Sequence, residues 1–291
     1  MRLAVHGKEF KRQSAPFIAK VFDILTQRKI DILVSGKFST YLRGSIFSKF
    51  KFKTFEPGDP LKKVESLVSI GGDGTLLESV TYIGENEIPV LGINTGRLGF
   101  LATINIDDTE KALTKLLDGA FTLDKRAVLK LETNKSVFGN LNFALNDFTL
   151  MKKDSSSMIT IHTYIDGEFL NSYWADGIIV STPTGSTGYS LSCGGPLIFP
   201  RSGNFVITPV SPHNLTVRPI VVSDNAAITF TVEGRSKKFL VSLDSRVASV
   251  DETVKLRITK GNFNVNLVQV EGEHYFKTLR QKLNWGLDIR N

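Results

Sequence analysis

The stretch Ser66–Gly84, SLVSIGGDGTLLESVTYIG, constrains this chain more than any other. Leu67, Val68 and Ile70 read as a short buried strand, and Gly71-Gly72-Asp73-Gly74 ends it abruptly. Thr75 opens a segment in which Leu76, Leu77 and Val80 have the spacing of one helical face. A strand, a glycine turn and a helix in succession bring backbone N–H groups to a helix N-terminus, which favours phosphate. Glycines let backbone approach a ligand with no Cβ in the way. Asp73 is out of place there, because a carboxylate repels phosphate. Its chemistry points to accepting a proton or a hydrogen bond from a hydroxyl, or to holding Mg²⁺ through water. The plain alternative is a tight turn with an N-cap. The run is neither G-x-G-x-x-G nor a G-K-[ST] P-loop.

A chain of 291 residues suits one large or two ordinary domains, and 41% hydrophobic with 22% charged residues is a globular composition. No apolar run reaches the length of a membrane span, and MRLAVHGKEF enters a strand-like run with no signal-peptide core. The single cysteine, Cys193, excludes an internal disulfide and a cysteine metal cluster, so a cytoplasmic setting is expected. A net charge of +7 suits a polyanionic ligand. Nucleic acid is not favoured, because no dense basic patch interleaved with aromatics is evident. Lys49–Phe55, KFKFKTF, alternates strictly and reads as a half-buried strand, with a phosphate-facing surface as the sharper alternative.

Residues 1–105 read as an α/β domain with a mostly parallel sheet. Leu3–Val5 is a strand, Ser14 and Pro16 open a helix through Leu25, and Ile30–Val34 is a second strand. Leu61–Ser66 is loosely helical, and Pro89–Ile93 is another strand, followed by Asn94-Thr95-Gly96-Arg97-Leu98-Gly99-Phe100. Ligands on such sheets bind beyond the carboxyl ends of the strands. Both glycine-rich turns lie there. Lys8 is a candidate for neutralising phosphate, and Asn94 and Arg97 for lining the same cleft; surface lysine and simple turn are the competing readings. His6 reads as an ordinary strand-end histidine. Asp107-Asp108-Thr109 before Ala112, Leu113, Leu116 and Leu117, with Gly119 behind, marks a short helix connecting the domains.

Beyond that helix the apolar period changes to two and an all-β fold is expected; with the connector, residues 106–270 read as a β-rich domain. Ile159–Ile165 and Phe169 flank Asp166-Gly167, a hairpin signal. Further strands are expected at Phe205–Val210, Ala227–Val232, Phe239–Leu243, Val254–Ile258 and Val265–Val270. Residues 271–291 form a tail expected to pack back on the first domain. Asn146-Asp147 interrupts an apolar run; adjacent strand residues face opposite ways, so only a bulge or a strand end aims both into one cleft. Asp176–Pro196, DGIIVSTPTGSTGYSLSCGGP, runs from a buried strand into small hydroxyl-rich residues that suit a sugar and diphosphate. Ser186 lacks the G-x-S-x-G elbow of a nucleophile, and Cys193 reads as a buried small residue.

These motifs resemble the NAD kinase family: Gly71–Thr75, Asn94–Leu101, Asn146-Asp147, Asp176-Gly177, Thr182–Ser190, Ser211-Pro212-His213 with Arg218-Pro219, and Leu279–Gly286. They span nearly the whole chain in family order. The resemblance implies an α/β domain plus a β domain with the active site between them, and transfer of the ATP γ-phosphoryl group to the adenosine-ribose 2′-hydroxyl of NAD. It implies Mg²⁺ carried with ATP rather than a metal site of the protein alone, and a homodimer or homotetramer. By similarity Asp73 is the catalytic carboxylate. Gly74, Asn146, Asp147, Asp176, Thr184, Thr187, Tyr189 and Ser192 bind NAD, with Asn146 and Thr187 on adenine, Asp147 near ribose and Asp176 toward nicotinamide. Gly71, Gly72 and His213 join Lys8, Asn94 and Arg97 as phosphate or cleft residues. Several positions depart from the family: Asp147 stands where Glu is common, Trp174 for Arg, Gly188 for Ala, and Ser245 for Gly. A lipid kinase of related fold explains GGDGT but leaves TPTGSTGYS unexplained. A non-catalytic NADP sensor would dispense with Asp73. An NAD(P)-dependent oxidoreductase would need the dinucleotide fingerprint that is missing.

Overall fold

The computed structural model describes residues 1–153, 157–272 and 274–286. It divides into two compact units, Met1–Lys125 with Val265 onward, and Arg126–Asn264.

In the first unit β1 (Arg2–Gly7), α1 (Ala15–Gln27), β2 (Asp31–Ser35), α2 (Gly36–Ser39), β3 (Lys53–Phe55), β4 (Ser66–Ile70), α3 (Asp73–Ile83), β5 (Val90–Ile93) and α4 (Thr109–Leu117) follow one another. The strands lie in the order β5-β4-β1-β2-β3, all parallel. β4 and β5 are buried at every residue, as parallel strands covered on both faces must be. Pro16 sits in the first turn of α1, and Ile18, Val21, Phe22 and Leu25 recur at helical spacing on its buried face. They pack with Leu3, Val5, Val68 and Leu91 of the sheet and with Ala112, Leu113 and Leu116 of α4. The helix expected as a connector is thus a core element, and the first unit runs to Lys125 rather than stopping at 105.

Two local expectations differ. The KFKFKTF alternation describes burial, but only Lys53–Phe55 joins the sheet, against Leu33–Ser35. Phe50 and Phe52 instead turn onto Phe22 of α1, at ring-centroid distances of 5.4 and 6.0 Å. The segment expected as loosely helical, Leu61–Ser66, holds a turn that leads into β4 at Ser66, not a helix: Lys63 takes φ +65°, which stops helical propagation after one Val64-to-Leu61 bond.

The β-rich segment comprises β6 (Thr122–Thr133), β7 (Phe143–Ala144), β8 (Asp147–Lys152), β9 (Ile159–Ile165), β10 (Glu168–Ala175), β11 (Gly177–Ser181), α5 (Tyr189–Ser192), β12 (Asn204–Val210), β13 (Ile220–Ser223), β14 (Ile228–Glu233), β15 (Lys238–Leu243), β16 (Arg246–Asp251) and β17 (Leu256–Gln269). One antiparallel sheet has the order β13-β12-β11-β8-β15-β16. β10, β9, β14 and the first part of β17 form a second antiparallel set. Both contribute to one apolar core, where Phe148 stacks on Phe230 at 5.8 Å. The Asp166-Gly167 hairpin turn takes φ of +51° and +86°, the positive values its two-residue loop requires. The two strands expected at Val254–Ile258 and Val265–Val270 are one continuous strand, and the second unit ends within it, at Asn264 rather than 270. The last helix, α6 (Tyr275–Leu283), belongs to the first unit, where Lys282 Nζ donates to the Leu98 carbonyl.

Candidate active site

In the first unit the site is built at the carboxyl end of β4. Gly71 bends the chain at φ +156°, and a Cβ there would lie 2.2 Å from Thr75 Oγ1, so glycine is required. Gly72 caps α3 with extended backbone, and the space beside its Cα is open. The first turn of any helix leaves N–H groups without intrahelical partners. Asp73 occupies the first helical position, and its carboxylate reaches the chain after β5. Oδ2 accepts the N–H of Phe100 at 2.7 Å, and Oδ1 accepts those of Leu101 and Ala102 at 3.0 and 2.9 Å. A Cβ on Gly99 would fall 2.0 Å from Asp73 Oδ1, so this clasp also needs glycine at 99.

Asn94 is 2% exposed and spends its amide on its own turn, donating to the Arg97 carbonyl at 2.6 Å and accepting from Gly96 N–H at 2.8 Å. It shapes the loop rather than presenting its amide outward, while Arg97 is exposed. Lys8 Nζ donates to the Gly74 carbonyl at 3.0 Å and pairs with Glu78 at 3.0 Å. Lys37 pairs with the same carboxylate at 2.6 Å. Burial would raise the Glu78 pKa, but the two ammonium groups pull it below its ordinary value. His6 is fully buried with Nδ1 2.7 Å from Ser35 Oγ; burial holds its pKa down to about 4, so it is neutral near pH 7. Glu78 and Lys37 carry no motif that sequence reading detects.

In the second unit the site surrounds the start of β8. Asp244 lies in the two-residue turn between β15 and β16 at φ +54°, with its side chain buried. Its carboxylate accepts the N–H groups of Leu145, Asn146 and Asp147 at 3.0, 2.8 and 3.2 Å. This grip re-aims the Asn146-Asp147 pair. A Cβ at Gly188 would lie 3.9 Å from Asn146 Nδ2 and 3.8 Å from Asp147 Oδ2, so both side chains converge on that point. Burial first, and then the Asp244 charge, push the Asp147 carboxyl up to about 7. The hydroxyl-rich cassette packs directly on the pair: Thr182 N–H donates to the Asn146 carbonyl at 2.9 Å, and a Cβ on Gly185 would sit 2.1 Å from that same oxygen.

The cassette is ordered, with a 3₁₀ turn at Gly185–Thr187 and the short helix α5. Its hydroxyls divide between scaffold and surface. Ser186 Oγ is fully buried and donates to the Pro183 carbonyl at 2.7 Å, which leaves no role as a nucleophile. Thr184 Oγ1 accepts from the buried Arg126 guanidinium at 3.2 Å, a partner with no local sequence signal. Thr187 donates to the Thr184 carbonyl, while Ser192 and Tyr189 are exposed. Burial raises the Tyr189 phenol pKa, with smaller contributions from Cys193, Asp176 and Asp147; the phenol is thus within electrostatic reach of both acids. Asp176 pairs with Lys152 at 2.6 Å. Trp174 is exposed and meets His213 edge-on at 4.4 Å.

Two family models match the chain: the ATP-NAD kinase N-terminal domain over residues 4–121 and the ATP-NAD kinase C-terminal domain over residues 145–270. The chain belongs to the NAD kinase family. An NAD kinase of Cytophaga hutchinsonii is 53% identical over 292 residues, with 100% of both chains covered. An NAD kinase of Flavobacterium psychrophilum is 47% identical over 296 residues, again covering 100% of both. Among solved structures, an NAD kinase from Archaeoglobus fulgidus in complex with ATP superposes with a TM-score of 0.75 at 25% identity, covering 98% of this chain and 99% of that one. Yeast NADH kinase complexed with NADH has the same fold, with a TM-score of 0.89 at 22% identity over 100% of this chain and 89% of that one. Within this NAD kinase frame the departure at Gly188 has a local consequence. An alanine methyl would press on the Gly185 carbonyl at 3.2 Å, and its absence leaves room in front of the shorter Asp147.

Proposed function

We propose that Asp73 accepts the hydrogen bond of the ribose 2′-hydroxyl in the ATP-dependent phosphorylation of NAD that this kinase carries out. A carboxylate offers about four acceptor positions. Three are taken by Phe100, Leu101 and Ala102, which hold the group rigid and leave one for a substrate hydroxyl. That clasp, at the mouth of a helix whose N-terminus favours phosphate, is the observation that carries the reading. The hydroxyl oxygen attacks the γ-phosphorus, the bond to the ADP oxygen breaks, and the hydroxyl proton passes toward Asp73. Alignment and charge neutralisation supply the rest.

On this reading Gly71, Gly72 and Gly74 bring backbone close to phosphate, and Lys8, held by Glu78, adds positive charge. Asn146, Asp147, Thr187, Tyr189 and Ser192 form the dinucleotide surface, with Asp176 and His213 at its far end. Thr184 acts on it through the loop it anchors, and Arg97 serves as an exposed cation at the first unit's loop. Magnesium enters with ATP. On this reading its ligands are phosphate oxygens and water. A cytoplasmic setting is proposed on the single cysteine, and a homodimer or homotetramer on the family resemblance. Incubation with NAD and Mg-ATP, followed by mass spectrometry and an NADP-specific dehydrogenase assay, tests the activity and the 2′ position together. Product absent, or phosphorylated elsewhere, would refute it.

A further inference from the structure

Two neighbouring polar side chains in the second unit lack the partners that burial normally demands. Asn146 Oδ1 is buried with no hydrogen-bond partner. Asp147 is 7% exposed, and among the described residues no donor engages its carboxyl group. Both converge on the open edge of Gly188. Asp244, beside them, is treated in the opposite way. It accepts three backbone N–H groups and stands 3.9 Å from the Arg246 guanidinium. Burial raises the Asp244 carboxyl too, but its three N–H donors and Arg246 pull it back down, whereas no described residue offsets burial at Asp147. Two buried carboxyls this close do not both ionise cheaply, and the one with the donors keeps the charge. The proton therefore belongs to Asp147.

We propose that Asp147 binds the dinucleotide as an uncharged acid, donating its proton in a hydrogen bond to an acceptor atom of the adenosine moiety, with the Asn146 amide beside it. This rests on the assignment of the surface to NAD. Among the described residues the groups facing Asp147 are few. Asp244, with Arg246 behind it, comes from the β15–β16 turn, and the Tyr189 phenol from α5. Across the ladder in β11 stands Ser181, which does not titrate. Ligand binding covers the remaining approach and further disfavours the charged form. A carboxyl pushed up to about 7 is already largely protonated below neutrality. NAD affinity is then full on the acid side and falls as pH rises, approaching tenfold per pH unit once the free carboxyl is ionised.

Isothermal titration calorimetry of NAD between about pH 6 and about pH 9, in two buffers of different ionisation heat, reads this directly. The expected result is uptake of about one proton per NAD on the alkaline side and a matching loss of affinity. The Asp147→Asn variant keeps a neutral donor that cannot titrate, so its affinity, whatever its absolute value, should lose that pH dependence. Affinity that is flat or rises with pH, release of a proton on binding, or an unchanged slope in Asp147→Asn would overturn the proposal. An absence of NAD binding at every pH would overturn the assignment of the surface as well. The wild-type proton count stands even where the variant fails to fold.

Discussion

On the proposed reading Asp73 has two duties, and substitutions separate them. Asp73→Asn removes the charge and turns an Nδ2 donor toward a backbone N–H of the loop at 100–102. A positioned base contributes about 10²–10⁴-fold to rate, so kcat at saturating ATP, Mg²⁺ and NAD should fall by that much. Stability should drop as well, by about 1–3 kcal/mol, for the backbone donor left unpaired. A kcat within about threefold of wild type would leave Asp73 a purely structural group. Gly99→Ala gives the complementary result. Its Cβ would strike Asp73 Oδ1 while the charge stays in place. We expect kcat to fall there too; a protein that melts earlier but turns over normally would show that the clasp serves the fold alone. Tyr189 is exposed and belongs to no core cluster, so Tyr189→Ala should raise the KM for NAD with little change in melting temperature. Unchanged NAD binding by calorimetry would reject the phenol as a contact.

Short elements place these groups, and long-range clasps hold the elements. At the start of β8, Asp244, distant in sequence, gathers the N–H groups of Leu145, Asn146 and Asp147. Asp244→Ala would orphan those donors and leave Arg246 without its carboxylate. Breaking a buried charge arrangement of this kind costs about 3–5 kcal/mol, read as a shift of the urea midpoint. NAD affinity should weaken with it, since Asn146 and Asp147 would lose their common aim. Retained affinity at reduced stability would show that the pair is aimed by something else. Gly185→Ala tests the cassette against the same segment. The added Cβ meets backbone, the Asn146 carbonyl, which cannot swing aside as a flexible side chain would.

At the scale of the whole molecule, each unit has its own apolar core. The first unit contains the fully buried His6, whose folded pKa near 4 lies below the unfolded value of 6.5. The unfolded chain therefore binds the extra proton, and stability is lost as pH falls from 6.5 toward 4. The loss amounts to about 3 kcal/mol at the acid end. Urea denaturation across that range should show it, and His6→Gln should flatten the profile; an equal acid loss in the variant would assign the effect elsewhere. The homodimer or homotetramer proposed from the family resemblance is tested by light scattering, and a fully active monomer would refute it.

Sequence alone determined the elements whose signal is local. The β4–glycine–α3 unit, the Asp166-Gly167 hairpin, α1 and α4 with their apolar stripes, and the ordered cassette all follow from periodicity and turn chemistry within a few residues. Two edge strands carry too weak a local signal: β13 is only four residues long, and β16 mixes polar and apolar side chains that are mostly not buried. The KFKFKTF run kept its burial pattern but lost its ladder to packing against α1. Within the site, the residue types at 71–75, 146–147 and 182–192 were legible. Their partners were not: Asp244 beneath Asn146-Asp147, Arg126 behind Thr184, Glu78 between Lys8 and Lys37, and the loop that Asp73 holds. An apolar face is written into the spacing of its own residues. The partner of a polar side chain is chosen by chain brought close only after the core has formed, and no local pattern encodes that choice.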